Sequence, residues 1–101
     1  MKYLLFAIIV ILGLTNIALS NELMVVSAAW CNPCQQLKAY LKSNQPNIKI
    51  IYVDFDKDKE TVSRLKVSKV PTSFIFDDSG KIISKKIGYD NNYGEWLRQH
   101  E

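Results

Sequence analysis

The chain has 101 residues, which is enough for one small domain and no more. Its formal net charge is +3, and its 13 basic and 10 acidic residues are spread evenly along the chain. This balance argues against a surface built to bind nucleic acid or an anionic membrane.

The first twenty residues differ from the rest of the chain. Lys2 is their only charged residue, the apolar run Tyr3–Leu14 follows it, and Ala18 and Ser20 place small residues at the −3 and −1 positions of a cleavage site. This is the layout of a secretory signal peptide. The apolar run is also shorter than the roughly 20 residues that a membrane-spanning helix needs. We therefore predict a signal peptide over residues 1–20, with an uncleaved signal-anchor as the alternative.

Cleavage after Ser20 would leave a domain of residues 21–101, whose net charge falls from +3 to +2 because Lys2 is lost. Export would place the two cysteines in an oxidising compartment, the periplasm or the outside of a cell, where a cysteine pair can form a disulfide. An uncleaved leader would instead hold the domain at a membrane, facing away from the cytoplasm.

The rest of the chain alternates between predicted strands and helices. In chain order we predict the strand Leu23–Ser27, a helix that begins at the cysteines, the strand Ile48–Val53, the helix Lys59–Lys66, the strands Thr72–Phe76 and Ile82–Ile87, and the helix Asn92–His100. This order predicts an α/β fold with a mixed four-stranded sheet and helices on both faces. The strand Ile48–Val53 is nearly all apolar, as is typical of parallel strands that are covered on both faces.

Both cysteines lie in the stretch Cys31-Asn32-Pro33-Cys34. Pro33 fits the first turn of a helix, so Cys31 should lie at the helix N-terminus, where unpaired N–H groups and the helix dipole favour a thiolate. Cys34 lies one turn further on and can close a disulfide with Cys31. The loop so closed is too small to be an effective structural staple. We predict that Cys31, at an exposed tip, is the nucleophile, that Cys34 is the resolving thiol, and that Trp30 covers the pair.

Metal binding is the alternative for the cysteine pair. A CxxC supplies half of a zinc site, but the chain has no third cysteine and only one histidine, His100, so zinc would require a dimer that shares two pairs. The alternating aspartates of Asp54–Asp58 resemble the start of a calcium loop, but Lys59 and Leu65 stand where that loop needs Gly and Glu. We expect a solvated loop that caps the next helix, and no metal.

Pro71 directly precedes the predicted strand Thr72–Phe76. A proline at this position can simply start the strand, or it can form a cis peptide bond in a tight turn. The second possibility would place a tight turn beside the cysteines.

The pattern Trp-Cys-Asn-Pro-Cys at residues 30–34 is followed by Val-Pro-Thr at residues 70–72 and by Gly88 after the last predicted strand. A lone CxxC is a weak signal, but this combination at this spacing resembles the thioredoxin family over nearly all of residues 23–101. The resemblance implies a thioredoxin-like fold and thiol–disulfide exchange with protein substrates, without a cofactor. It also implies an upstream redox partner.

By this resemblance, Cys31 and Cys34 form the redox-active disulfide, with Cys31 as the nucleophile. Pro71 would be the cis proline beside it, and Val70 would offer backbone hydrogen bonds to a substrate polypeptide, in the manner of strand addition. The substrate-binding residues that the resemblance implies are Trp30, Pro33, Val70 and Pro71.

The chain departs from the family pattern in its buried acid–base pair and at its N-terminus, and Asn32-Pro33 stands where the thioredoxin motif has Gly-Pro. Val25 stands six residues before Cys31, where the family usually has a buried Asp, and Tyr52 stands where the Lys partner of that Asp would be. The first strand and helix of the family also have no counterpart here. The strand Ile48–Val53 should then be a sheet edge that needs cover from an uncut leader, a partner protein or a second copy.

We therefore predict an exported thiol–disulfide oxidoreductase that acts as a reductant, with an oxidase as the alternative because potential and partners set the direction of electron flow. The alternative is a thioredoxin-like binding module without redox turnover, which would use the groove at Val70 and Pro71 or the exposed sheet edge.

Overall fold

The computed structural model describes residues 20–101, so the predicted leader lies outside the described residues except for Ser20. The secondary structure elements are β1 (Glu22–Ser27), α1 (Asn32–Asn44), β2 (Lys49–Asp54), α2 (Lys59–Arg64), β3 (Thr72–Phe76), β4 (Ile82–Ile87) and α3 (Tyr93–Arg98). The predicted order of strands and helices is confirmed, and β3 and β4 have the predicted bounds. Each helix in residues 20–101 is too short or too polar to cross a membrane.

The four strands form one mixed sheet in the order β2-β1-β3-β4. β1 pairs with β2 in parallel and with β3 in antiparallel fashion, and β3 and β4 form an antiparallel hairpin. The turn between β3 and β4 is held by Asp77, whose carboxylate accepts hydrogen bonds from the backbone N–H groups of Ser79 and Lys81, at 2.9 Å each. The prediction of a mixed four-stranded sheet is confirmed.

Helices cover both faces of the sheet, as predicted. One face of the sheet packs against α1 and α3 around the buried residues Leu23, Val25, Leu37, Leu41, Ile75, Tyr93 and Leu97. The other face packs against the segment around α2 through Val26, Val53, Val67 and Phe74. Leu37 and Leu41 lie one turn apart on α1, and burial of each leucine side chain stabilises the fold by about 1.5–3 kcal/mol. α1, which carries the cysteines, is thus anchored to the sheet.

The prediction that the second strand lies at a sheet edge is confirmed, whereas the cover on both faces that its apolar composition indicates is incomplete. β2 is an edge strand, and Val53 is its only buried residue, while Tyr52 is 46% exposed. The physical reason is that no strand among residues 20–101 pairs with the outer edge of β2. Its apolar composition therefore reflects partial cover by α1 and α2, not burial at the centre of the sheet.

A buried pair of hydroxyl groups ties α3 to the sheet. The hydroxyl oxygens of Ser73 and Tyr93 lie 2.8 Å apart, and neither residue is exposed to solvent. Burial raises the pKa of Tyr93 to about 12, so this phenol stays neutral at ordinary pH. The hydrogen bond satisfies two polar groups whose burial alone would be costly.

Candidate active site

The start of α1 determines where the cysteine pair lies. β1 ends at Ser27, and the backbone N–H of Cys31 donates to the carbonyl oxygen of Ala28 at 3.1 Å, which turns the chain into the helix. Cys31 is the N-cap residue, and its Sγ accepts a hydrogen bond from the backbone N–H of Cys34 at 3.2 Å. Pro33 occupies the first turn, where its missing N–H costs nothing. The geometry predicted for the helix start is present.

Cys31 and Cys34 form a disulfide, with their Cα atoms 5.2 Å apart. Cys31 is 5% exposed and Cys34 is not exposed at all. The two sulfurs therefore differ in access in the predicted direction, although Cys31 is far less exposed than the tip that the sequence suggested. The side chains that bury the pair are Ala28, Phe55 and Val70.

The loop before β3 lies against the disulfide. The peptide bond between Val70 and Pro71 is cis, and the carbonyl oxygen of Val70 lies 3.6 Å from Sγ of Cys31. Gly88 fixes this loop from the other side, because its backbone N–H donates to the carbonyl oxygen of Pro71 at 2.7 Å. Gly88 has a φ of +85°, a conformation that residues with a Cβ atom rarely adopt. The fold thus brings together Cys31, Val70 and Pro71, which are up to 40 residues apart in the chain (71 − 31).

Trp30 lies beside the pair and is 67% exposed. Its indole Nε1–H donates a hydrogen bond to Oδ2 of Asp56 at 2.8 Å. Sequence reasoning did not identify Asp56 as the partner of Trp30, nor Phe55 as part of the cover over the cysteines. The available signal was Phe55 itself, a large apolar side chain in an otherwise polar loop.

The Asp54–Asp58 loop is organised by hydrogen bonds from its own backbone. Oδ1 of Asp54 accepts from the N–H groups of Asp56 and Lys57, at 2.9 and 3.2 Å. Asp58 caps α2 by accepting a hydrogen bond from the backbone N–H of Thr61. Hydrogen bonding with Thr61 lowers the pKa of the Asp58 carboxyl group. No cluster of three or more metal-ligating side chains exists within the described residues.

Val25 stands where the family usually has a buried Asp, and the described residues place no ionised group in the core. Val25 is fully buried, and its register partners are Tyr52 on β2 and Ser73 on β3. Within residues 20–101, no Asp, Glu, Lys or His is buried; the buried polar residues other than tyrosine are Ser27, Thr72 and Ser73. No buried carboxylate is therefore available to take the proton of Cys34.

Comparison with known proteins agrees with this geometry. The sequence profile of the thioredoxin family matches residues 15–96. The thioredoxin of Chlamydia trachomatis serovar D is 32% identical over 76 residues, which cover 72% of this chain and 74% of that protein. A TPR repeat-containing thioredoxin of rice is 39% identical over 69 residues, which cover 65% of this chain but only 22% of the larger rice protein.

Solved structures share the fold. The reduced thioredoxin pre-protein of Schistosoma mansoni superposes with a TM-score of 0.73 at 20% identity, covering 91% of this chain and 90% of that chain. Oxidised thioredoxin O2 of Arabidopsis thaliana gives a TM-score of 0.67 at 25% identity, covering 81% and 76% of the two chains. The chain therefore belongs to the thioredoxin family, and its domain, with the Cys31–Cys34 disulfide, is of the thiol–disulfide oxidoreductase class.

Proposed function

We propose that this domain is exported and reduces disulfides of protein substrates, with Cys31 as the nucleophile and Cys34 as the resolving thiol. The observation that carries the proposal is the position of Cys31. Its sulfur is the N-cap acceptor of α1, hydrogen-bonded to a backbone N–H at 3.2 Å, and it is the less buried sulfur of the pair.

The reduced pair would act in two steps. The Cys31 thiolate attacks one sulfur of a substrate disulfide, a mixed disulfide forms, and the other substrate sulfur leaves as a thiolate. The Cys34 thiolate then attacks Sγ of Cys31, and the second substrate sulfur leaves. Two electrons pass from the dithiol to the substrate, and the Cys31–Cys34 disulfide is formed again. The helix N-terminus supports the first step because its N–H groups stabilise negative charge on Cys31.

The loop at Val70 and Pro71, together with Trp30 and Pro33, would contact the substrate. The backbone of Val70 lies next to the reacting sulfur, 3.6 Å from carbonyl oxygen to Sγ. A substrate polypeptide that pairs with this backbone, as an added strand does, would bring its own sulfur to Cys31. Trp30 supplies an exposed aromatic surface at the rim of this region.

Export is supported by the sequence of the leader. Lys2, the apolar run after it and the small residues Ala18 and Ser20 have the layout of a signal peptide, and a retained leader would anchor the domain outside the cytoplasm. In an oxidising compartment, a reductant of this kind needs an upstream partner that returns electrons to Cys31 and Cys34.

The roles of the two cysteines are tested with single serine variants. The wild-type chain is expected to reduce the disulfides of insulin in the presence of dithiothreitol, whereas Cys31→Ser and Cys34→Ser show only the uncatalysed rate. Cys34→Ser should trap a mixed disulfide with the substrate, and Cys31→Ser should trap none. Wild-type activity no higher than that of both variants would contradict the proposal.

A second candidate function is favoured by the open edge of β2, where Tyr52 is 46% exposed. A binding module would hold a partner at this edge or at the Val70–Pro71 groove without redox turnover. Mass spectrometry of alkylated protein across a series of redox buffers distinguishes the two functions. A pair that cycles between dithiol and disulfide supports the oxidoreductase, and a pair that stays in one state supports the binding module.

A further inference from the structure

The resolving step raises a problem of proton transfer. Cys34 is not exposed to solvent, yet its thiol must lose a proton before it can attack Cys31. Burial without a nearby positive charge disfavours a thiolate. Some feature of the surrounding structure must therefore carry the proton to water and stabilise the charge that remains.

A solvent-open cavity of about 430 Å³ lies between the end of β1, the first turns of α1 and the end of β2. It is lined by Ser27, Ala28, Ala29, Gln35, Lys38, Tyr52, Val53 and Asp54. Ala28 is also one of the buried side chains that pack against the cysteines, so this residue is shared by the cavity and the buried pair. The amide Nε2 of Gln35 donates a hydrogen bond to the carbonyl oxygen of Ala28 at 3.3 Å, which connects α1 to the segment that precedes it.

Lys38 brings a positive charge to the same cavity. It follows Cys34 by four residues on α1, and residues four apart on a helix are neighbours, with about 5–6 Å between their Cβ atoms. The ammonium Nζ of Lys38 lies 5.4 Å from the centre of the Tyr52 ring. A cation over an aromatic face is attracted by the ring, so Tyr52 favours a Lys38 side chain that points toward β2.

We propose that Lys38, held over the ring of Tyr52, is an electrostatic positioning residue that stabilises the Cys34 thiolate, and that the cavity that Ala28 helps to line is the route by which the Cys34 proton reaches water. This inference rests on the proposed function, since it concerns the resolving step. In that step the thiol of Cys34 releases its proton to water in the cavity. The thiolate attacks Sγ of Cys31, and the substrate sulfur leaves and takes up a proton.

The other titratable groups that line the cavity cannot stabilise a Cys34 thiolate in place of Lys38. Asp54 is negative and would oppose a thiolate, and its Oδ1 is already bonded to two backbone N–H groups of its own loop. Tyr52 is a weak acid whose pKa is raised by burial, so it is neutral when Cys34 reacts. Lys38 is therefore the only cation among the cavity-lining residues of the described part of the chain.

The test measures the pH at which half of Cys34 is deprotonated, by ultraviolet absorbance of the thiolate in the full chain carrying Cys31→Ser. A chain with both cysteines replaced by serine provides the tyrosine background. Adding Lys38→Gln should raise this midpoint by about half to one pH unit, because the cation one helical turn from Cys34 is lost from a partly solvated site. Lys38→Arg should restore it, and Tyr52→Ala should produce a smaller rise in the same direction.

Lys42→Gln is the matched control, because Lys42 lies one turn further along α1 and is exposed. It removes the same charge without touching the cavity and should leave the midpoint unchanged. An equal shift in Lys38→Gln and Lys42→Gln would overturn the proposal, as would no shift in either variant. A shift that Lys38→Arg fails to restore would also overturn it, since the role would then be structural and not electrostatic.

A kinetic experiment separates this inference from the proposed function. At pH values below the midpoint of Cys34 deprotonation, fewer molecules of Lys38→Gln carry the Cys34 thiolate. In the chain with both cysteines, this variant should therefore release the substrate from the mixed disulfide about three- to ten-fold more slowly. Formation of the mixed disulfide, measured with the Cys34→Ser background, should be unchanged. Failure of Cys34→Ser to form any mixed disulfide would contradict the proposed function. Normal formation together with an unchanged release rate in Lys38→Gln would contradict only the role of Lys38.

Discussion

Cys31 and Cys34 are three residues apart, but their surroundings differ in origin. Local structure prepares Cys31: a helix begins at that residue, and the backbone N–H of Cys34 points at its sulfur. Tertiary structure surrounds Cys34, which is fully buried in a cluster with Ala28, and the described residues include no buried acid. In the proposed function, attack on a substrate would therefore depend on a short sequence motif, whereas resolution would depend on residues brought together by tertiary structure.

Of the variants that test this difference between Cys31 and Cys34, Val25→Asp is expected to have the largest effect. The variant places a carboxylate at a fully buried position in the core between the sheet and α1, and we expect the free energy of unfolding to fall by about 3 kcal/mol at pH 7. Burial would raise the pKa of the new Asp above its unfolded value, so the loss should grow as pH rises above about 4 and should shrink in acid. Urea unfolding at pH 4 and pH 7 measures this. Equal losses at both pH values would show that the new carboxylate is solvated and that the site beside Val25 is open.

Gly88→Ala should disturb the Val70–Pro71 loop, which lies beside Cys31. Gly88 has a φ of +85°, which disfavours any residue with a Cβ atom, but no atom lies within 4 Å of the position of an added Cβ. The cost is therefore backbone strain without a steric clash, and we expect the free energy of unfolding to fall by about 1–2 kcal/mol. Gly88 also holds the carbonyl of Pro71, and the variant should slow formation of the mixed disulfide in the Cys34→Ser background.

Gly80→Ala is the control for that variant. Gly80 has a φ of +87°, equally free space around its Cβ position, and a place in the β3–β4 turn, away from the cysteines. Both variants should lose similar stability in urea, but only Gly88→Ala should change the rate of attack. Equal rates in the two variants would show that the Gly88 contact does not position the Val70–Pro71 loop.

Tyr93→Phe should lower stability without affecting either cysteine. It removes one hydroxyl of the buried Ser73–Tyr93 pair, and we expect a loss of about 1 kcal/mol. In the wild type, Tyr93 holds its proton up to about pH 12 in the folded state, against a model-compound value of 10.0. Its contribution is therefore complete below pH 10 and is lost as pH rises toward 12. Urea unfolding from pH 8 to pH 11 should show a shallower decline in Tyr93→Phe, with an unchanged redox midpoint at pH 7.

Asp56→Ala should have the smallest effect on stability. The Trp30–Asp56 hydrogen bond is exposed, so we expect a loss of about 0.5 kcal/mol. We expect a clearer effect on Trp30 fluorescence and on the rate of attack, because the indole loses its fixed position beside Cys31. Asp78→Ala removes an exposed charge from the β3–β4 turn and should change neither quantity.

Much of the fold follows from local patterns in the sequence. The alternation and turn chemistry of β3 and β4 predict their bounds, and Pro33 after Cys31 predicts the start of α1. The edge position of β2 is predicted from the missing first strand and helix of the family and not from its composition, because an apolar strand at an edge and one at the centre of a sheet have the same composition. Only the strand order distinguishes them.

The candidate site is predictable to the extent that its motifs are contiguous. The cysteine pair and the Val70–Pro71 dipeptide are visible in the sequence as short patterns. The bond from Trp30 to Asp56 and the placement of Lys38 over Tyr52 join residues on different elements. Such contacts depend on the register between strands and on the packing of α1, which no single stretch of sequence encodes.

The central claim is that Cys31 and Cys34 are a redox pair that donates electrons to substrates. A redox titration in dithiothreitol buffers tests it most directly, with the fraction of reduced protein read from Trp30 fluorescence and checked by thiol alkylation. We predict a single two-electron transition near the potential of a reducing thioredoxin, about −270 mV. A midpoint near about −120 mV would identify an oxidant, and the absence of any transition would contradict redox turnover altogether.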